Sequence, residues 1–518
     1  MPSWFRRSAS QAVEERRAAV FDTSHLETGI GRRTANSAAI TMVSSAIIFG
    51  VQIAQLAILS RLLSPEDFGL VGMAVVATGF VRLFADIGLS TATIQRDEID
   101  QKFVTAVFYI DLLVAFGLML LCFAIAPLSA EIFSEPRVTM LIVAIALTFP
   151  LVPLRGQHQA LLARRMLFVR VNATKVIANL CGATAAILAA WLWQFGYWSI
   201  VLGIVVQDVA LVLLSWIALP WMPSRPGSLA AGRSAIGFGV NLLGANLAGW
   251  LWKQADRALI GWRWDASELG YYTRAYSVLM VPLNLVSGPL GTAVIPALSR
   301  LQNKHEEWTG LMQTSARAMA FFAGLLTLVL ALNANFIIEL LLGPEWSYSA
   351  TIFVLLALSL YPSFIWEHAR FVFISLGRTD TMRNYAFGAA IAHVAAFAAG
   401  VQWGAVGVAA SLAIASVVVT PALAYIVARI SRCSVMTIAA QFAPSFLAMV
   451  IVGGVYLAIQ FEPQGGGSFA GAVGKSIAIT LGYCAIHLAI LPFSKGWRED
   501  AIRLRHLARG LSWGKGQA

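Results

Sequence analysis

Residues 103–127 read FVTAVFYIDLLVAFGLMLLCFAIAP, with Asp111 the one charged group among them. At 1.5 Å of rise per residue, a helix of this length spans about 37 Å, enough to cross about 30 Å of hydrocarbon. The run is apolar on every face, so water cannot be its neighbour on any side. Reading outward, the pattern recurs along the whole chain. About fourteen segments meet the twenty-residue requirement. They lie near 36–60, 67–93, 103–127, 138–163, 168–193, 197–220, 236–261, 268–298, 310–340, 347–375, 381–401, 405–428, 436–460 and 471–492. The expected fold class is therefore an all-α integral membrane protein. Composition agrees: 58% of the 518 residues are hydrophobic and 12% charged, about half the charged share of a soluble domain.

The formal charge of +11 is read through topology. Loops that alternate to one side carry Arg96, Lys102, Arg164, Arg165, Arg170, Arg225, Arg233, Arg300, Lys304, Arg378, Arg383, Arg429 and Arg432, whereas the opposite loops carry Arg61, Arg137 and Arg263. Basic loops stay in the cytoplasm. The pattern thus places both termini inside and excludes nucleic acid as the reason for the charge. The arm at 1–34 has no apolar core of a signal peptide, so no cleavage is expected.

The longest break, 221–234, holds Pro223, Pro226 and Gly227. It reads as a cytoplasmic linker between an N-lobe (35–220, spans 1–6) and a C-lobe (235–430, spans 7–12). Spans 13 and 14 (431–493) form an appendix, and 494–518 a basic cytoplasmic tail. A weak internal repeat supports the lobes. SPEDFGLVGMA at the second span and DASELGYYTRA at the eighth align at an offset of 201, equating Gly69 with Gly270 and Ala74 with Ala275. Both copies run in the same direction, as in parallel repeats about an axis along the membrane normal.

Ionisable residues inside spans are costly and normally face a cavity or a partner. The second span holds Arg82 and Asp86, the third Asp111, the fourth Arg155 and His158 just after Pro150 and Pro153, where the helix should kink, and the sixth Asp208. The seventh holds Lys253, Asp256 and Arg257, the eighth Arg274, the ninth Arg317 and the tenth Glu367, His368 and Arg370. Lys253, Asp256, Arg257 and Arg274 fall in the outer halves of their spans; Arg82, Asp86, Asp111, Arg155, Arg317, Glu367 and Arg370 fall in the inner halves. Cations predominate, which favours an anionic passenger. Asn246, Trp250, Lys253 and Arg257 recur on one helical face. An indole stacks on a sugar ring, and cations hold a diphosphate. The candidate substrate-binding set is Arg257, Lys253, Arg274, Trp250, Asn246, Arg82, Arg155, Arg317 and Arg370. The carboxylates Asp86, Asp111, Asp256 and Glu367 are candidates for coupling. Arg82 with Asp86, and Glu367 with Arg370, are spaced for local ion pairs. His393 and His487 read as satisfied core groups, and Lys175 as a residue that snorkels. The four cysteines make no metal spacing. There is no P-loop, G-x-S-x-G or H-E-x-x-H. No enzyme activity, metal or cofactor is expected.

The stretches LSRLLSPEDFGLVGMA (59–74), FADIGLSTATIQ (84–95), QADRALIG (254–261) and LGYYTRAYSVLMVP (269–282) resemble bacterial polysaccharide flippases. These are the Wzx-like, polysaccharide-transporter branch of the MOP superfamily. The resemblance implies a V-shaped pair of six-helix bundles around a cationic cavity, with two extra helices. It implies a polyprenyl-diphosphate-linked oligosaccharide as substrate, alternating access in the inner membrane, and polymerase or export proteins as partners. Rival readings are a cation-coupled drug exporter of the same superfamily, which the excess of intramembrane cations opposes, and a glycan ligase or polymerase, which needs a long outside loop absent from this sequence. A scaffold without transport is a third. The topology has a direct check. Single cysteines at Ser64, Gln194, Gln402 and Gly466 are expected to react with an impermeant maleimide from outside intact spheroplasts, and cytoplasmic results at two of them would overturn the assignment.

Overall fold

The computed structural model describes residues 30–82, 93–94, 96, 99–225, 254–459 and 469–490. Among these residues the chain is helical throughout, with no strand. Ten helices are long and apolar enough to cross a membrane, and a bent pair makes an eleventh. One of the ten, Thr379–Ile430, is two helices joined by a 3-10 turn at Val401–Trp403. The second and seventh expected spans run into residues outside the described set. The helices divide into two compact units, Met1–Gly270 and Tyr271–Ala518.

The first unit contains α1 (Ile30–Leu62), α2 (Pro65–Arg82), α3 (Gln101–Ile132), α4 (Arg137–Ala146), α5 (Leu151–Arg164), α6 (Phe168–Leu192) and α7 (Trp198–Ala218). A further helix, α8, covers 254–263, and α9 (Ala266–Leu301) begins here. Local chemistry fixes several starts. Asp67 accepts from the Ser64 amide at 3.0 Å while Ser64 Oγ accepts from the Asp67 amide at 3.2 Å, a reciprocal cap that satisfies donors the helix leaves unpaired. Asp100 caps α3 by accepting from the Phe103 amide at 2.8 Å. The fourth span breaks between Ala146 and Leu151, at the Pro150 whose ring cannot continue a helix, as the prolines predict. Below the break, Trp221 is folded back into a core with Phe103, Val107, Phe108 and Leu161, and its indole donates to Gln101 Oε1 at 2.8 Å.

Without a hydrophobic drive between helices in lipid, close packing comes from small residues. Helices α6 and α7 cross at Gly182 and Gly203, where an added Cβ would lie 2.6 Å from Gln207 Cβ or 2.8 Å from Ala186 Cβ. By contrast, Ile177, Leu180, Leu188, Leu213 and Ile217 on the same helices are exposed, as lipid-facing residues should be. Trp193, Trp198, Trp262, Trp264 and Trp403 are exposed near helix ends, the place where amphipathic rings settle at a membrane interface.

The second unit contains the rest of α9, then α10 (His305–Leu332), α11 (Ala334–Leu342), α12 (Ser347–Leu358), α13 (Leu360–Ser375), α14 (Thr379–Gly400), α15 (Gly404–Ile430), α16 (Val435–Ile459) and α17 (Phe469–Ile490). The expected ninth span is divided at Asn333, whose side-chain amide donates to the Val329 carbonyl at 2.8 Å. The tenth is bent by 44° between α12 and α13. Polar hooks join α17 to both α10 and α16: the Tyr483 hydroxyl donates to the Phe321 carbonyl at 3.1 Å, and Ser445 Oγ meets His487 Nε2 at 3.0 Å. His393 is likewise satisfied, against the Ala389 carbonyl at 2.7 Å and Ser416 Oγ at 3.2 Å. Substituting Gly182 by Leu forces α6 and α7 apart, and is expected to cost about 1–3 kcal/mol. A fall in thermal unfolding temperature in detergent checks this, while the same change at Gly117, which has open space, leaves the temperature unchanged.

Candidate functional site

Among the described residues, charged groups held in the membrane-spanning helices gather in polar clusters in both units. Arg155 of α5 faces Asp208 of α7, with Nη2 3.4 Å from Oδ1, and the two side chains are 26% and 10% exposed. Such partial burial makes the pair more than a surface contact and still leaves the guanidinium reachable. Lys175 of α6 lies within electrostatic range of Arg155, so this side of the unit carries more positive charge than negative. One residue along α5 from His158, Gln159 donates to Thr174 Oγ1 at 3.0 Å and Ser215 Oγ at 2.7 Å. His158 stacks on Trp216 at 4.6 Å and meets the Trp221 carbonyl at 3.0 Å.

The other cluster centres on Gln157, which is fully buried. Its amide nitrogen reaches Asp111 Oδ2 at 3.4 Å, and its oxygen accepts from Thr93 Oγ1 at 2.9 Å. Asp111 is thus tied by hydrogen bonding to α5. Gln157 is the relay that a search for ionisable residues alone overlooks. The signal was present in the sequence: Gln157, His158 and Gln159 are three consecutive polar residues inside a span, just after a proline break.

In the second unit Arg370 grips Glu367, with Nε and Nη2 at 3.0 and 2.7 Å from Oε2. The spacing predicts this pair. Arg370 also lies over the Phe371 ring at 5.5 Å. Arg317 is buried and donates to Gln441 Oε1 of α16 and to Thr314 Oγ1, which links α10 to α16. On α8, Asp256 is buried and its Oδ1 accepts from the Arg257 amide at 2.7 Å, while Arg257 Nη1 donates to Gln254 Oε1 at 3.1 Å. Arg274 is half-buried on α9. Asn246, Trp250, Lys253 and Asp86 lie outside the described residues, as does the side chain of Arg82.

A model of the family described as "Polysaccharide biosynthesis protein" matches residues 58–351, more than half of the chain. The chain belongs to this family. Among its relatives, "Succinoglycan biosynthesis transport protein ExoT" of Rhizobium meliloti is 26% identical over 62% of this chain and 64% of its own length. "Lipopolysaccharide biosynthesis protein WzxC" of Escherichia coli is 23% identical over 61% of this chain and 64% of its own. The chain therefore spans slightly under two thirds of either relative. "Teichuronic acid biosynthesis protein TuaB" of Bacillus subtilis is 24% identical over 70% of this chain and 76% of its own. The solved structure of lipid II flippase MurJ in an inward closed conformation has the same fold, with a TM-score of 0.69 at 13% identity, covering 86% of this chain and 97% of that one. An inward-facing multidrug resistance MATE transporter of the MOP superfamily gives 0.57 at 13% identity, covering 74% and 95%. Family and fold agree with the resemblance carried by the motifs.

The Arg155–Asp208 pair generates a test of its own. Arg155→Met or Asp208→Leu removes this ion pair and is expected to cost about 3 kcal/mol, the low end of the range because Arg155 is partly exposed. The double variant is expected to recover most of the loss. Thermal unfolding of the four proteins checks this, and additive losses in the double variant would contradict the pairing.

Proposed function

We propose that the chain moves a polyprenyl-diphosphate-linked oligosaccharide from the cytoplasmic to the periplasmic leaflet of a bacterial inner membrane, for exopolysaccharide or lipopolysaccharide biosynthesis. The family match over residues 58–351 carries this reading, and relatives named for succinoglycan transport and lipopolysaccharide biosynthesis support it. The physics is direct. A sugar headgroup with a diphosphate cannot cross about 30 Å of hydrocarbon unaided. Two lobes, 35–220 and 235–430, that open alternately to either side remove the barrier while the lipid tail stays in the bilayer.

In this reading Arg257, Arg274 and Lys253 receive the diphosphate, and Trp250 and Asn246 the first sugar. The Arg155–Asp208 pair, with Lys175 beside it, forms an inner polar surface that an anion partly competes for. Asp111, held by Gln157, is the leading candidate for coupling, ahead of Asp86, Asp256 and Glu367. Arg317, which bonds Gln441 of α16, completes the proposed cation set with Arg82 and Arg370. Both termini are cytoplasmic, and a polymerase or export protein takes the product on the far side.

Deletion of the gene is expected to trap lipid-linked oligosaccharide in the inner leaflet, where it stays protected from a glycosidase added to intact spheroplasts. Restoring the parent gene exposes it. Arg257→Ala and Arg274→Ala are expected to leave the protein in the membrane and abolish exposure, and Arg→Lys to restore part of it, because an ammonium lacks the planar fork that grips a phosphate. Full activity of both alanine variants would remove these residues from the site. Normal exposure in the deletion strain would overturn the reading itself.

A further inference from the structure

The ninth expected span breaks at Asn333, between α10 and α11, and a cavity of about 340 Å³ lies between this break and α17. Phe336 and Ile337 of α11 and Ile477 and Leu481 of α17 are among its apolar walls. Asn333, Ser476 and Thr480 are its polar lining. All of them belong to the second unit. Ile477 and Leu481 are 53% and 65% exposed, so the cavity opens on a surface that hydrocarbon covers. The charge pattern puts this end of α17 in the outer half of the membrane.

The polar lining is rich in acceptors. Asn333 is 4% exposed. Its amide nitrogen donates to the Val329 carbonyl at 2.8 Å, and its Oδ1 is buried with no hydrogen-bond partner. A buried acceptor left unpaired in a membrane is costly. The hydroxyls of α17 do not supply the donor. Ser476 Oγ donates to the Ala472 carbonyl at 2.9 Å and Thr480 Oγ1 to the Ser476 carbonyl at 2.8 Å. Each hydroxyl has thus spent its one hydrogen and keeps only lone pairs. Lone pairs from three residues line one cavity, so the partner they suit brings an O–H or an N–H.

Size, access and charge select the class of that partner. A water occupies about 30 Å³ of liquid, far less than this cavity, whose volume is in the range that holds an organic ligand. Its walls are apolar and open to the bilayer, so the partner arrives through hydrocarbon and is mostly hydrocarbon itself. No carboxylate lines the cavity among the described residues, and Glu339 of α11 is exposed outside the lining. Lys475, next to Ser476, holds its ammonium over the Tyr456 ring at 4.8 Å. A cationic ligand would find no counter-charge in the lining and a like charge beside it. The donor is therefore a neutral hydroxyl. We propose that this cavity binds a membrane lipid alcohol of the diacylglycerol type, its free hydroxyl donating to Asn333 Oδ1 and one chain lying along Phe336 and Ile477. Bound there, the lipid joins α17 to the junction of α10 and α11. The site is separate from the cations proposed to hold a diphosphate and does not depend on that reading.

The test uses the full-length protein in nanodiscs of phosphatidylcholine, a lipid with no O–H or N–H. The probe is a trace of diacylglycerol with a diazirine near the glycerol end of one chain, and cross-links are mapped by peptide mass spectrometry. Labelling is expected to concentrate at 336–337 and 472–481. A second probe with the same chains, its hydroxyl capped as a methyl ether, is expected to label there about tenfold less, as the loss of one buried hydrogen bond implies. Asn333→Leu is expected to abolish this preference for the alcohol. Ser476→Ala combined with Thr480→Val is expected to weaken it, and keeps the test open if Asn333→Leu does not fold. Ser476→Leu fills the cavity and is expected to lower labelling by both probes. Leu488→Phe, at an exposed position of α17 outside the lining, is the control and keeps the parental pattern. Equal labelling by alcohol and ether in the parent overturns the proposal, as does labelling spread evenly over the lipid-facing helices. A full preference for the alcohol in both Asn333→Leu and the double variant also overturns it. A phosphatidylethanolamine probe that labels the cavity more than diacylglycerol does overturns the neutral hydroxyl. Transport is not measured, so failure of the flippase reading leaves each of these outcomes intact.

Discussion

Hydrocarbon offers neither hydrogen bonds nor screening, and every other feature of this protein follows from that. A backbone amide left unpaired in such a medium costs several kcal/mol, so helices are the only route across for a chain of this composition. A side-chain charge costs more, so each one present must be held by something. Arg155 meets Asp208, Arg370 meets Glu367, Arg317 meets Gln441, and Asp111 meets Gln157. The expense of keeping these groups inside the membrane is out of proportion to what stability requires, since well-packed apolar residues serve stability at least as well. The proposed work on a polar passenger would give these groups a purpose beyond stability.

Two kinds of contact divide the labour. Where helices must stay together, polar hooks supplement packing: the Tyr483 hydroxyl on the Phe321 carbonyl and Ser445 on His487 hold α17 to α10 and α16. At α6 and α7 small residues do the same by proximity alone. Surface ion pairs such as Arg137 with Glu66 and Glu135 are nearly half exposed on the arginine side and add little free energy, although Arg137 does hold the Glu135 carboxyl below the usual carboxylate range. Their contribution is geometric, setting where the first turn of α2 sits.

Fold class and most spans were legible because the signal is long and redundant: twenty apolar residues cannot be mistaken for a soluble element. The break at Pro150 was legible because a missing amide has a local consequence. The Glu367–Arg370 pair was legible because it lies within one turn. The bond that Arg317 makes was not legible for the opposite reason. Its partner, Gln441, is 124 positions away, and nothing in a single sequence says which of several helices an inward arginine faces. The split at Asn333 escaped notice because an asparagine in an apolar run gives no breaking signal of comparable strength to proline. Gln157 was overlooked because a neutral amide carries no charge to attract notice, though a buried amide with both ends bonded constrains its neighbours as firmly as an ion.

A carrier must bind and then let go, and must hold each of its states without being trapped there. Deep ion pairs are poor at this, because separating them exposes uncompensated charge. In the proposed role, guanidinium groups with a carboxylate or amide nearby, as Arg155 has in Asp208 and Arg257 has in Gln254, would offer a phosphate a partner while keeping an alternative for themselves. That alternative lowers the net affinity and speeds release, which for a transporter matters more than tight binding.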